Sequence, residues 1–303
     1  MKLLSVIIVT HNSEKDIYDC LEAIFKFNDI ADKLEVIVVD NNSVYFNEMA
    51  SQLQKLYADK VRIVSNACNG GYGQGNNLGI SYASTDIVMV INPDVRLLMP
   101  LFSEVIFMFK DSSVAMCGFK LMDKIDKAQE SFRFSIVYNG FIRSVVSTLC
   151  YLLDIYDYKR MYLLGACFCI RKSVFLAVGQ FDEQVFLYGE ENDLHFRFRQ
   201  QFPSMRITYR KDLCCLHPMH DRPYSEKMYR QMYASEIHFL HKNNLSVDWF
   251  FRNEIFRLRC SVVLNKMRVL YKFKRINMDK AYLQINLIKL LRVEYRKCGK
   301  IVV

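Results

Sequence analysis

Along the first hundred residues the apolar positions switch repeatedly between two periods. Continuous runs rich in β-branched residues, SVIIVT (5–10), LEVIVVD (34–40), VRIVSN (61–66) and DIVMVIN (86–92), read as strands. Between them SEKDIYDCLEAIFKF (13–27), FNEMASQLQKLY (46–57) and a short window near NNLGISYA (76–83) carry helical spacing. Strands with no polar face need cover on both sides, and alternating helices supply it. The pattern therefore predicts an α/β fold with a mostly parallel sheet flanked by helices.

From about Pro100 to Lys159 the pattern is irregular and predicts little. Order returns over 161–200, which reads as a buried strand, a short helix capped near Ser173, a turn at Gly179 and an acidic helix. MRITYRKDLCCLHP (205–218) reads as a further strand. Beyond Ser225 the pattern is helical, with Phe250, Phe251, Ile255, Leu258 and Val262 at helical spacing. The expected division is 1–224, with halves at about 1–99 and 100–224, followed by a helical region over 225–303.

Charge separates the same two regions. Of a net charge of +9, the stretch Phe251–Val303 holds a surplus of eleven, fourteen Lys or Arg against three acids, so the remainder is slightly acidic. A basic helical segment with apolar stripes fits an anionic membrane surface. Nucleic acid is not expected, because no recognition motif accompanies the charge; solvated helix faces or an oligomer contact stay open. Met1-Lys2 runs directly into a strand, no signal peptide is visible, and no run approaches the ~18 apolar residues of a membrane span, so the expected location is the cytoplasm. Ten scattered cysteines read as reduced thiols. Cys214, Cys215, His217 and His220 lie close together, but adjacent cysteines do not have the spacing of a structural zinc site.

Candidate chemistry gathers where the strands end. THN, DNNS, NACNGGYGQGNN and NPD follow the four strands in turn, and parallel sheets bind ligands beyond those ends. Any one loop could be an ordinary turn or helix cap. Gly71, Gly73 and Gly75 are spaced G-x-G-x-G and two strand–helix units precede them, which disfavours a dinucleotide fingerprint and leaves a loop that shapes a ligand pocket. YGEENDLHFRFR (188–199) sets three acids before three basic side chains, a pattern that also suits a solvated helix start.

Together SVIIVTHNSEKDIYDCLEAI, VIVVDNNS, NGGYGQGNNLGI, INPDV, GACFCIRK and FDEQVFLYGEENDL resemble glycosyltransferase family 2 enzymes of the GT-A (Rossmann-like) fold, in the rhamnosyltransferase-like branch that builds bacterial surface polysaccharides of the O-antigen or capsule type. The resemblance implies a metal-dependent, inverting sugar transfer. The donor would be dTDP-rhamnose, or alternatively a UDP-hexose, and the acceptor a lipid-linked saccharide at the inner face of the membrane. It assigns Thr10, Asn12 and Asp40 to the nucleoside, with Asp40 on a pyrimidine ring N–H, and counts Asn42, Asn69, Gly71, Asn76, Asn77 and Asn92 among the residues that bind the nucleotide sugar. Asp94, with His217 or His220, would hold Mg2+ or Mn2+. Glu191 would be the general base, with Glu190 and Asp193 orienting the site and Arg197 helping to neutralise the leaving diphosphate. Two departures stand out: Asn92 replaces one of the family's usual metal-site aspartates, and Glu191 replaces an aspartate one methylene shorter. They leave open a catalytically weak GT-A binding or scaffold subunit.

Overall fold

In the computed structural model, residues 1–218, 225–270 and 276–298 are described. β1 (Leu4–Thr10), α1 (Glu14–Lys26), β2 (Leu34–Asp40), α2 (Phe46–Tyr57), β3 (Val61–Ser65), α3 (Gly71–Tyr82) and β4 (Ile87–Ile91) follow the predicted alternation. The strands pair in parallel in the order β3-β2-β1-β4. Although Val6–Val9 of β1 are apolar without a break, the strand serves two cores: Leu4, Val6 and Ile8 face one with Ile17, Leu21 and Leu53, and Ile7 faces the other with Ile80, Val90 and Phe168. Period 2 is thus kept beneath a continuous apolar run.

The chain continues through β5 (Arg96–Leu97), α4 (Phe102–Met108), β6 (Val114–Lys124), β7 (Lys127–Ala128), β8 (Phe132–Phe134), α5 (Gly140–Leu153), β9 (Met161–Leu163), β10 (Cys167–Arg171), α6 (Lys172–Ala177), α7 (Glu190–Gln201) and β11 (Arg206–Leu216). The sheet extends from β4 as β10-β6-β11-β5, with β10 antiparallel to both neighbours and β11 parallel to β6. The irregular middle therefore hides a central strand, β6, whose Val114–Phe119 stretch is fully covered. Helix α6 starts before Ser173 rather than being capped by it: the Ser173 N–H donates to Asp86 Oδ1 at 2.9 Å, so the cap comes from a residue distant in sequence.

Two compact units divide the chain. One comprises Met1–Arg133, Tyr156–Phe186 and Glu190–His220, and the other Phe134–Ile155, Leu187–Gly189 and Asp221–Val303. The second contains α5, α8 (Glu226–Lys242), α9 (Val247–Leu270) and α10 (Ile276–Lys297). Phe250, Phe251, Ile255 and Leu258 are buried in it, and Val262 is half-buried. The segment 134–155, placed with the first region by sequence, joins this unit for a physical reason. Arg143 on α5 reaches the buried Glu254 on α9 at 3.0 Å, and Asn139, which caps α5, bonds Asn253. No described helix is long and apolar enough to cross a membrane.

Candidate functional site

The ends of β1 to β4 are knitted together by short polar side chains. Thr10 is fully buried and its Oγ1 has no hydrogen-bond partner. Asp40 is fully buried as well, and its carboxylate accepts from the Ser43 N–H at 2.8 Å and from the Ser43 hydroxyl. Asp40 therefore locks the turn that follows β2, a duty that competes with base recognition, while α2 has Tyr45 at its N-cap and no side-chain cap. Asn12 (φ +52°) and Asn42 (φ +61°) are exposed in left-handed backbone, which asparagine tolerates. Asn12 is fixed there because its N–H donates to Ser43 Oγ and its Oδ1 accepts from the Val44 N–H. Asn41, unremarked in the sequence, is the buried member: its Nδ2 donates to Gly71 O at 2.8 Å and its Oδ1 accepts from Asn66 Nδ2 at 3.0 Å. Beside Asn42 it looked like another turn residue, and nothing local separates the two.

The glycine stretch is helix rather than loop. Gly71 (φ +86°) opens α3, and a Cβ there would lie 1.9 Å from Phe186 O. A Cβ on Gly75 would lie 2.6 Å from Val9 Cγ1, and one on Gly79 2.4 Å from Ile7 Cγ2. These glycines let α3 sit directly on β1, which is a packing role. Asn69 Oδ1 accepts from the Gly71 N–H, and Asn76 Nδ2 donates to Tyr72 O, leaving the buried Asn76 Oδ1 without a partner. Asn77, assigned to the donor by sequence, clamps the segment before α7: its Nδ2 donates to Phe181 O and Glu183 Oε1, and its Oδ1 accepts from the Phe181 N–H. Its amide is consumed by the fold.

Two consecutive residues join the acidic helix to the NPD turn. The Gly165 N–H donates to Glu191 Oε1 at 2.9 Å, while Ala166 O accepts the Asn92 N–H at 2.9 Å. From α3, the Tyr72 hydroxyl donates to Gly165 O at 2.7 Å. A Cβ on Gly165 would lie 2.5 Å from Glu191 Oε1, so the carboxylate approaches the backbone where only glycine leaves room. Beyond Asn92, Asp94 Oδ1 lies 3.6 Å from His217 Nε2. His217 is held in turn by Gln129, whose Nε2 lies 2.9 Å from Nδ1 and donates to His217 O. His220 lies outside the described residues. Two donor atoms this close can both reach one cation at about 2.0–2.2 Å, so the pair fits a divalent ion that takes its remaining oxygens from phosphate and water. The described residues contain no group of three or more His, Cys, Asp or Glu suited to a metal. Cys215 is buried with its Sγ 3.8 Å from Cys167 Sγ.

The charges of YGEENDLHFRFR divide by task. Glu190 is 3% exposed, its Oε2 has no partner, and burial followed by the charge of Glu191 holds its carboxyl well above the usual range. Asp193 is buried and paired: Arg197 Nε donates to Asp193 Oδ2 at 2.8 Å, and Arg197 also donates to Val178 O and Gln180 O. Arg197, expected at the diphosphate, is thus spent on anchoring α7 to the end of α6. His195 is buried between the Glu191 carbonyl, to which its Nδ1–H donates at 2.8 Å, and the Leu163 N–H, which donates to its Nε2. Burial, reinforced by Arg199, pushes it down to about 3, so it is a neutral tether.

A family model described as Glycosyl transferase family 2 matches residues 5–176, more than half of the chain. The low-salt glycan biosynthesis hexosyltransferase Agl10 of Haloferax volcanii is 25% identical over 65% of this chain and 62% of its own length. Glycosyltransferase GlyG of Streptococcus pneumoniae is 27% identical over 31% of this chain and 30% of its own. The chain thus spans less than two thirds of the length of these curated relatives. Among solved structures, the mannosyltransferase PcManGT from Pyrobaculum calidifontis, in complex with GDP-Man and Mn2+, superposes with a TM-score of 0.64 at 15% identity. That match covers 96% of this chain and 86% of that one, and it shows the GT-A fold.

Proposed function

This chain belongs to glycosyl transferase family 2, and from that premise we propose an inverting, metal-dependent transfer of a sugar from a nucleotide donor. In its most specific form the reading is rhamnose from dTDP-rhamnose to a lipid-linked glycan at the inner face of the membrane. The observation that carries it is the Gly165–Ala166 link, which ties a carboxylate suited to general base to the turn bearing Asp94. Glu191 takes the acceptor hydroxyl proton as that oxygen attacks the anomeric carbon. Asp94 and His217 would hold the cation, which when bound supplies positive charge beside the departing diphosphate. Thr10 and Asn76 offer buried unsatisfied oxygens for a polar ligand to complete. The basic stretch Phe251–Val303 draws the protein to anionic lipid.

A hexose from a UDP donor is the second reading, supported by the hexosyltransferase relative. A thermal-shift panel of dTDP, UDP and GDP with Mg2+ or Mn2+ distinguishes the two, because a ligand bound at 100 times its Kd stabilises by about 2.7 kcal/mol. Donor hydrolysis by the unaltered chain, reduced at least ~100-fold in Glu191→Gln with nucleotide binding kept, is the expected outcome. Equal hydrolysis in both would remove Glu191 from the mechanism, and no hydrolysis in either would favour a scaffold subunit.

A further inference from the structure

Helix α5 is built the wrong way round for a helix of a water-soluble unit. Of its fourteen residues only Gly140 is buried. Ile142, Val145, Leu149, Leu152 and Leu153 recur at helical spacing on one side and are 48 to 71% exposed. No acidic residue occurs from Gly140 to Leu153, and the one cation, Arg143, is turned to the buried Glu254. Alongside, on α9, Arg252, Phe256, Arg259 and Val263 stand at i, i+4, i+7 and i+11, all exposed. Phe141 of α5 packs edge-on against Phe256 at 5.9 Å, so the two stripes adjoin. The acid at the head of the second stripe, Asp248, is already bound by Arg252 at 3.0 Å and by the Tyr295 hydroxyl.

We infer that α5 is a shallow membrane-insertion element: its Ile142–Leu153 stripe enters the acyl boundary while Arg252 and Arg259 rest on anionic headgroups. The inference rests on the membrane-surface reading above and adds to it an apolar anchor far from the basic tail in sequence. Charge selects lipid over a second copy of the chain. An isologous contact would bring up the same face, which carries Arg259, an Arg252 already held by Asp248 and no free acid along either stripe, and so would offer these cations no partner, whereas anionic lipid does. An apolar stripe beside cations with a weakly charged flank is the composition of an interfacial helix.

The test uses the full chain and vesicles of phosphatidylcholine with phosphatidylglycerol. Leu149→Glu with Leu152→Glu, both at exposed positions, is expected to weaken binding at least about tenfold while leaving the circular dichroism spectrum unchanged. Binding equal to that of the unaltered chain overturns the insertion and spares the electrostatic reading, whereas an unaltered chain that fails to bind overturns both. If the unaltered chain sediments as a dimer without lipid and the double variant as a monomer, the face belongs to a second copy and the inference falls. Should the double variant unfold, Trp249, the single tryptophan, 39% exposed and two turns before Phe256 on α9, carries the test in the unaltered chain. Quenching by brominated acyl chains is expected, and its absence overturns the inference.

Discussion

At the scale of single residues, Glu190 and Glu191 are neighbours in sequence and differ in environment. Glu191 accepts a backbone N–H and is half-buried, whereas Glu190 is sealed off with one oxygen unpartnered. Because burial raises the folded pKa of Glu190 above its unfolded value, the folded state holds that proton more tightly. Stability is then lost as pH rises from the ordinary carboxylate range through the raised value. Thermal unfolding from pH 5 to 8 should show this decline, up to about 1.4 kcal/mol per pH unit, and Glu190→Gln should flatten it. Removing either donor of the Asp94–His217 pair, by Asp94→Asn or His217→Ala, should abolish the additional thermal shift that Mn2+ gives with a nucleoside diphosphate. An unchanged shift would move the cation elsewhere. The carboxylates were legible in the sequence because three acids within four positions invite a chemical explanation. The duties of Arg197 and Asn77 were not, because both depend on carbonyls that only the folded chain brings within reach.

Among the elements, α3 shows how one composition can signal two things. Glycines spaced G-x-G-x-G after a strand suggest a loop that shapes a ligand pocket, yet Gly75 and, one turn on, Gly79 remove the Cβ atoms that would hold a helix away from β1. Gly79→Ala should cost about 1–3 kcal/mol, since its Cβ would meet Ile7 at 2.4 Å inside a packed layer. Denaturant unfolding measures that loss, and a neutral result would mean that α3 can lift off β1 freely. Apolar periodicity located β1 to β4, α1, α2 and the second half of α3 because each is a local, regular pattern. It passed over β6 and α5 for opposite reasons. The apolar run of β6 ends in charged residues with no turn signal between, and α5 exposes the side chains that periodicity assumes to be buried.

For the molecule as a whole, the charge difference between the slightly acidic stretch and the strongly basic Phe251–Val303 makes a prediction of its own. Sedimentation with anionic vesicles should fall steeply between 50 and 500 mM salt as the Debye length shrinks from above ~10 Å to below ~5 Å. Equal binding to neutral vesicles would contradict the charge-driven account. The family and fold were legible because the motifs keep their order along the chain. The joint that brings them together was not, since GACFCIRK reads as a buried strand and a family segment with no hint that its backbone carries other parts of the site. Yet the carboxylate of Glu191 and the turn of Asn92 hang from adjoining residues, Gly165 and Ala166. Inserting one residue there would preserve every candidate side chain and still pull proton acceptor and cation site out of step, so a scan of such insertions should find this dipeptide far less forgiving than the loops around it.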